Sequence, residues 1–265
     1  MRSFTHTASG IDWYCEQRGE GPTVVLVPSG EGDCAAFERT AAALAADFTV
    51  LTFDTPGFSR TSTPADTADI SMYRLGAQIA GLVESLGIGR ATFYGCSSGA
   101  VAVLDLVRDF PALVRNAVIH EAAGIGDSAT AGGDSPLRRM LALDDAGIVA
   151  FCKPFFGSVF NENSAAWDAL GTDYHARLER NYVTWVRQYV AKVDARQVDP
   201  ATLAGKPIAW TIGGLNPAAM FFGNLKVAWH AGIEASLLPC KHFPQVSIPD
   251  VLAAHIRQST LPYLD

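Results

Sequence analysis

The run Gly95-Cys96-Ser97-Ser98-Gly99 spells G-x-S-x-G. Where a strand leads into such a run and a helix leaves it, the turn is tight enough to strain the central residue. Glycines flank that residue because side chains there would strike the adjoining strand and helix. Ser97 is then expected at a helix N-terminus with its hydroxyl exposed. Small residues are common at strand–helix junctions, so the motif needs partners before it implies chemistry. Cys96 is the competing nucleophile, but it stands off-centre and is expected to point sideways into packing.

A serine hydroxyl is a weak nucleophile and needs an adjacent base. His242, in Pro239-Cys240-Lys241-His242-Phe243-Pro244, follows the last predicted strand. The other histidines fit less well. His6 is N-terminal, His175, His230 and His255 fall within predicted helices, and His120 ends a strand. The orienting acid is found by elimination. The loop Gly213-Gly214-Leu215-Asn216-Pro217 holds no carboxylate, and from Ala201 to Pro249 the only one is Glu234, at the start of a strand. One strand earlier, Glu121 follows His120 on the expected catalytic edge, where it can stabilise an imidazolium on His242. The alternative is that Glu121 only caps its loop and that Asn216 or a water holds the histidine. Two backbone N–H groups are expected to receive the oxyanion, one from Ser98 and one from Gly30, although Gly30 and Gly32 also read as ordinary turn glycines.

These residues need a scaffold that brings them to one edge. Thr23–Val27 is a continuous β-branched run, as in a strand buried on both faces of a parallel sheet. Phe48–Phe53, Ala91–Tyr94, Asn116–His120, Pro207–Ile212 and Glu234–Leu238 are further predicted strands, with Ile11–Gln17 and Phe4–Ala8 ahead of them. Met72, Leu75, Ile79, Val83 and Leu86 recur at helical spacing over Ser71–Leu86. Other predicted helices cover Ser98–Phe110, Ala218–Ala231 and a final stretch from Pro249. Strands alternating with helices imply an α/β class with a mostly parallel central sheet and helices on both faces. The alternation pauses over 122–198, which reads as a helical cap inserted into a core of 1–121 and 199–265.

Composition narrows the rest. The 265 residues carry 49% hydrophobic and 18% charged side chains and a net charge of −7. An acidic chain without a basic stripe is a poor nucleic-acid binder. No apolar run approaches the ~20 residues that cross a bilayer, and no secretory leader is visible, so no membrane partner is expected. Five scattered cysteines with no C-x-x-C pair suggest reduced thiols and a cytoplasmic location. No dinucleotide or phosphate fingerprint and no metal-ligand spacing occurs, so the reaction is expected to need neither cofactor nor metal.

In the inserted segment Leu178, Tyr182, Trp185 and Tyr189 fall on one helical face, suited either to packing or to contacting substrate. The Trp185 indole N–H is a donor suited to an ester or leaving-group oxygen. Phe155, Phe156, Phe221, Phe222 and Phe243 add aromatic surface, which points to a bulky, flat, mostly apolar substrate. Substrate contact is expected at Trp185, Tyr189, Phe156, Phe221 and Phe243.

Tyr94-Gly95-Cys96-Ser97-Ser98-Gly99, His120-Glu121, Trp167-Asp168-Ala169-Leu170-Gly171, Asn181-Tyr182 with Trp185, Gly205-Lys206-Pro207 with Trp210-Thr211, and His242-Phe243-Pro244 together resemble the fungal zearalenone lactonases. The resemblance runs from about Gly10 to the C-terminus and includes the unusual position of the acid. It implies an α/β-hydrolase fold with a cap and opening of the ester of a resorcylic macrolide. It also implies Ser97, His242 and Glu121 as triad, Gly30 and Ser98 as oxyanion donors, and Trp185 on the substrate. The freed aromatic acid is then expected to lose carbon dioxide. The implied partner is a small-molecule lactone, and a homodimer stays open. The chain departs from the family pattern at Ser29, where that family has an acid, at Ala122-Ala123, where it has Leu-Pro, and at Val190, where it has proline. The departures surround the expected pocket. They leave room for an esterase on smaller aryl or alkyl esters, or for a ligand receptor on the same fold.

Overall fold

A computed structural model describes residues 1–125, 139–192, 198–217 and 220–264. Eight strands form one sheet in the order β1-β2-β4-β3-β5-β6-β7-β8: β1 Arg2–Ala8, β2 Ile11–Arg18, β3 Thr23–Val27, β4 Thr49–Phe53, β5 Ala91–Cys96, β6 Val114–His120, β7 Ile208–Gly213 and β8 Ala235–Leu238. β2 pairs antiparallel with both β1 and β4, and all pairings from β4 through β8 are parallel. Ser9 and Gly10, both at positive φ, make the two-residue hairpin turn between β1 and β2.

Each residue of β5 is buried, which requires cover on both faces of the sheet. That cover comes from α1 Glu38–Leu44, α2 Met72–Ser85, α3 Ser98–Asp109 and the C-terminal helix Pro249–Thr260. α1 packs on the C-terminal helix, and α2 packs on α3. α2 comes so close to α3 that a Cβ on Gly76 would lie 2.9 Å from Ala102 O. The order of strands and helices therefore follows the expected alternation. β1, β5 and β6 are each longer than their periodicity suggested.

Between β6 and β7 the described residues hold helices and no strand: α4 Asp145–Pro154, α5 Ser164–Asp168 and α6 Thr172–Thr184. α4 and α6 each run on into a single π-turn, Phe155–Val159 and Trp185–Tyr189. Pro154, with no N–H to continue the α-helical ladder, accounts for the first widening. Within the inserted segment, 126–138 and 193–197 lie outside the described residues. Beyond β7, α7 covers Phe222–His230; its expected start at Ala218 also lies outside them. A one-turn helix, α8 Pro244–Ser247, precedes the C-terminal helix, α9 Pro249–Thr260.

All five cysteines are buried and unpaired. Burial pushes Cys15 and Cys152 up to about 12 and raises Cys34, Cys96 and Cys240 as well. Among the described residues no helix is long and apolar enough to cross a membrane, and no group of three or more His, Cys, Asp or Glu could hold a metal ion.

Candidate active site

Ser97 joins β5 to α3 with φ 56° and ψ −119°, a conformation L side chains rarely adopt. A Cβ on Gly95 would lie 2.4 Å from Gly99 O, and one on Gly99 would lie 2.4 Å from Pro28 O. Only glycine at both positions lets the elbow close. Hydrogen bonds hold the strained turn: Ser97 N donates to His120 O at 3.0 Å, and Ala123 N to Ser97 O at 3.2 Å. The Ser97 side chain does not cap its helix and is half-buried, so its hydroxyl remains free for another partner.

Glu121 also sits at positive φ, 46°, one residue beyond β6. Its N–H still reaches Thr211 O on β7 at 3.2 Å, and the left-handed turn swings the carboxylate back along the sheet edge. Oε2 meets His242 Nδ1 at 2.6 Å. Oε1 accepts from Gly213 N at 2.6 Å and from Asn216 Nδ2 at 2.9 Å. Burial alone would raise this carboxyl; the hydrogen bond from His242 is the first opposing influence, joined by the nearby imidazoles and the Gly213 N–H, and the balance lies below the usual carboxylate range. His120, fully buried beside it and bonded through Nδ1 to Thr211 Oγ1, is pushed down to about 4 by its burial. It is therefore neutral at neutral pH.

His242 is held from several sides. Its N–H and that of Phe243 both donate to Phe160 O, at 3.0 and 3.2 Å. Its carbonyl accepts from the Cys96 thiol at 3.1 Å. Phe221 stacks on the imidazole with centroids 5.0 Å apart and an interplanar angle of 12°, while Phe160 packs at 4.5 Å.

A family profile described as alpha/beta hydrolase fold matches residues 22–196. A zearalenone hydrolase of Bionectria ochroleuca is 38% identical over 269 residues, 99% of each chain. Another, from Cladophialophora bantiana, is 37% identical over 100% of this chain and 98% of its own. The chain belongs to the zearalenone hydrolase family of α/β-hydrolases. It is accordingly an ester or lactone hydrolase. Among solved structures, the enol-lactonase from Burkholderia xenovorans LB400 shares the fold, with a TM-score of 0.74 over 97% of this chain and 99% of that one at 17% identity.

In this member of the zearalenone hydrolase family, Gly30 follows β3 on a loop rooted against the elbow, where Pro28 O abuts Gly99. Ser98, first residue of α3, carries one of the N–H groups that have no acceptor within a helix. The two expected donors thus lie on adjoining backbone. A Cβ on Gly30 would lie 2.5 Å from Trp185 Nε1, so the indole lies directly over the loop. α6 clamps that loop: Asn181 Nδ2 donates to Glu31 O at 2.7 Å, and Arg177 Nε to Asp33 Oδ2 at 2.6 Å. Arg60 approaches the same carboxylate at 3.2 Å. Burial would raise Asp33, but bonds from Arg177 and Ser59 and the charge of Arg60 leave it below its ordinary value.

The expected aromatics divide. Phe221 and Phe243 pack on His242, at 5.0 and 5.2 Å, and Phe156 links Phe243 to Trp185, at 5.7 and 5.0 Å. Tyr189 is buried against Phe58, at 5.3 Å, on the far side of the Gly32 turn, where a Cβ would strike Phe58. Phe222 does not join the cluster; it is 64% exposed, because the turn into α7 directs Phe221 inward and its neighbour out. Phe160, Asn216 in its role on Glu121, and Gln245 were not singled out from sequence. Their contacts span 79 or more residues, and no local pattern announces them.

Proposed function

We propose that this chain opens the ester of a macrocyclic resorcylic acid lactone of the zearalenone type through an acyl-enzyme, with Ser97 as nucleophile, His242 as base and Glu121 as the acid that orients it. The observation that carries the reading is the 2.6 Å contact between His242 Nδ1 and Glu121 Oε2, made by residues far apart in sequence on the edge that also bears the strained Ser97. The zearalenone hydrolases similar to this chain supply the substrate class.

Ser97 Oγ attacks the ester carbonyl while His242 Nε2 takes its proton. Glu121, anchored by Gly213 and Asn216, stabilises the imidazolium and fixes the tautomer. The N–H groups of Gly30 and Ser98 receive the oxyanion. As the tetrahedral intermediate collapses, the ring C–O bond breaks and His242 returns the proton to the alkoxide, which stays tethered in the opened chain. Water, activated by His242, then releases the acid. The helices of 122–198 act as the cap, setting Trp185 and Phe156 on a flat aromatic substrate, with the indole N–H on an ester oxygen. No metal or cofactor enters these steps.

Ser97→Ala tests the reading. Turnover of zearalenone is expected to vanish while ligand binding and thermal unfolding stay as in the wild type. Persistent hydrolysis by this variant overturns the mechanism. The ratio of kcat/KM for zearalenone to that for a p-nitrophenyl ester decides between a macrolide lactonase and an esterase for small substrates.

A further inference from the structure

Glu31, one residue from Gly30, is a fully buried carboxyl that the mechanism above does not use. Arg60 is committed to Asp54 and Asp33, and Arg177 to Asp33; Glu31 makes no ion pair among the described residues. The Ser29 hydroxyl donates to its Oε2. Its Oε1 has no partner, nor do Oε1 and Nε2 of Gln245, itself 1% exposed. Gln245, on α8 just after the His242 loop, borders both the Glu31 carboxyl and the Cys96 thiol. Cys96 in turn donates to His242 O.

One assignment of protons gives each of these atoms a partner. The Ser29 hydroxyl donates to Glu31 Oε2, a proton on Glu31 Oε1 goes to Gln245 Oε1, Gln245 Nε2 faces Cys96 Sγ, and the thiol donates to the His242 carbonyl. With a carboxylate the amide must turn to offer it Nε2–H, and its oxygen then faces a thiol that already donates to the His242 carbonyl. Buried, unpaired polar atoms are costly, so the neutral acid completes the chain and the anion breaks it.

We propose that Glu31 is a positioning residue that works as a neutral, proton-bearing carboxyl, tying the Gly30 loop to the His242 loop through Gln245 and Cys96. This rests on the roles given above to Gly30 and His242. The titratable groups facing it are His242, Cys96, Tyr94, Tyr174 and Tyr182. Burial holds its proton above the usual carboxylate range, so ionisation lies on the alkaline side of an ordinary carboxyl's. There the two loops lose their connection and kcat falls.

Glu31→Gln keeps a neutral donor–acceptor pair in the same shape. Its kcat/KM for zearalenone at neutral pH is expected within about threefold of the wild type, with the alkaline fall in kcat moved or abolished. A loss above about tenfold at unchanged KM, or an unaltered alkaline limb, overturns the proposal. Difference infrared spectra of wild type against this variant should show a protonated-carboxyl C=O band at neutral pH; its absence overturns the proposal whatever the activity. If Glu31→Gln does not fold, Gln245→Met removes the acceptor of that proton and should shift the band while lowering kcat. An unmoved band then overturns it. Hydrolysis surviving in Ser97→Ala would fell the serine mechanism and leave the infrared result standing, so the two failures are distinguishable.

Discussion

Gly30 and Trp185 are packed as closely as a glycine allows, with the space for a Cβ ending 2.5 Å from the indole nitrogen. Gly30→Ala must therefore push aside either the indole or its own N–H. The expected result is a fall in kcat of about 10² or more with little change in Tm, since a single oxyanion donor is worth that much. Steady-state kinetics beside a melting curve checks it. A Tm loss that accounted for the whole activity loss would mark the glycine as merely structural.

Trp185→Phe keeps most of the ring and removes the donor. Packing against Phe156 survives, so the fold should hold. kcat/KM is expected to drop about tenfold, the worth of one hydrogen bond to substrate. A change confined to KM would place the indole in ground-state binding only.

Glu121→Gln leaves Gly213 and Asn216 with an acceptor but takes the negative charge from His242. Comparable loss of the orienting acid lowers kcat by about 10⁴ elsewhere, and a fall of 10³–10⁴ is expected here. The pH dependence follows from the lowered position of this carboxyl. A depressed acid contributes stability that is present above its unfolded value and is lost as pH falls through its folded one. Wild-type Tm should decline through that acid window, and Glu121→Gln should flatten the decline.

Asp33 has the same sign and a different task, because it joins Arg60 of the core to Arg177 of α6. With its side chain wholly buried, Asp33→Ala strands the Arg177 guanidinium, while Arg60 keeps Asp54 at 2.6 Å. Destabilisation of about 3 kcal/mol is expected, measured by urea unfolding, with a rise in KM as α6 loosens over the Gly30 loop.

How much of this could be read beforehand depended on range. The elbow Gly95–Gly99 was legible because its constraint is local: two glycines, a strand before and a helix after. Glu121 emerged from an absence: the loop 213–217 holds no acid and Glu234 stands at the start of its strand, which chain order turned into a pointer one strand back. The division of Phe221 from Phe222 was not legible, since both satisfy composition and only the turn into α7 decides which faces inward. The anchoring of His242 by Phe160 O was also hidden, because any residue has a carbonyl and sequence does not mark its direction. Glu31 reads as an ordinary acid in a glycine-rich loop until the sheet closes over it.

The burial of every thiol has a practical corollary. Thiolates are the species that maleimides, iodoacetamide and peroxide attack, and burial here leaves each thiol protonated and shielded. The purified protein should thus keep its titre through storage without reductant. An added surface cysteine would offer a single point for attaching it to a solid support.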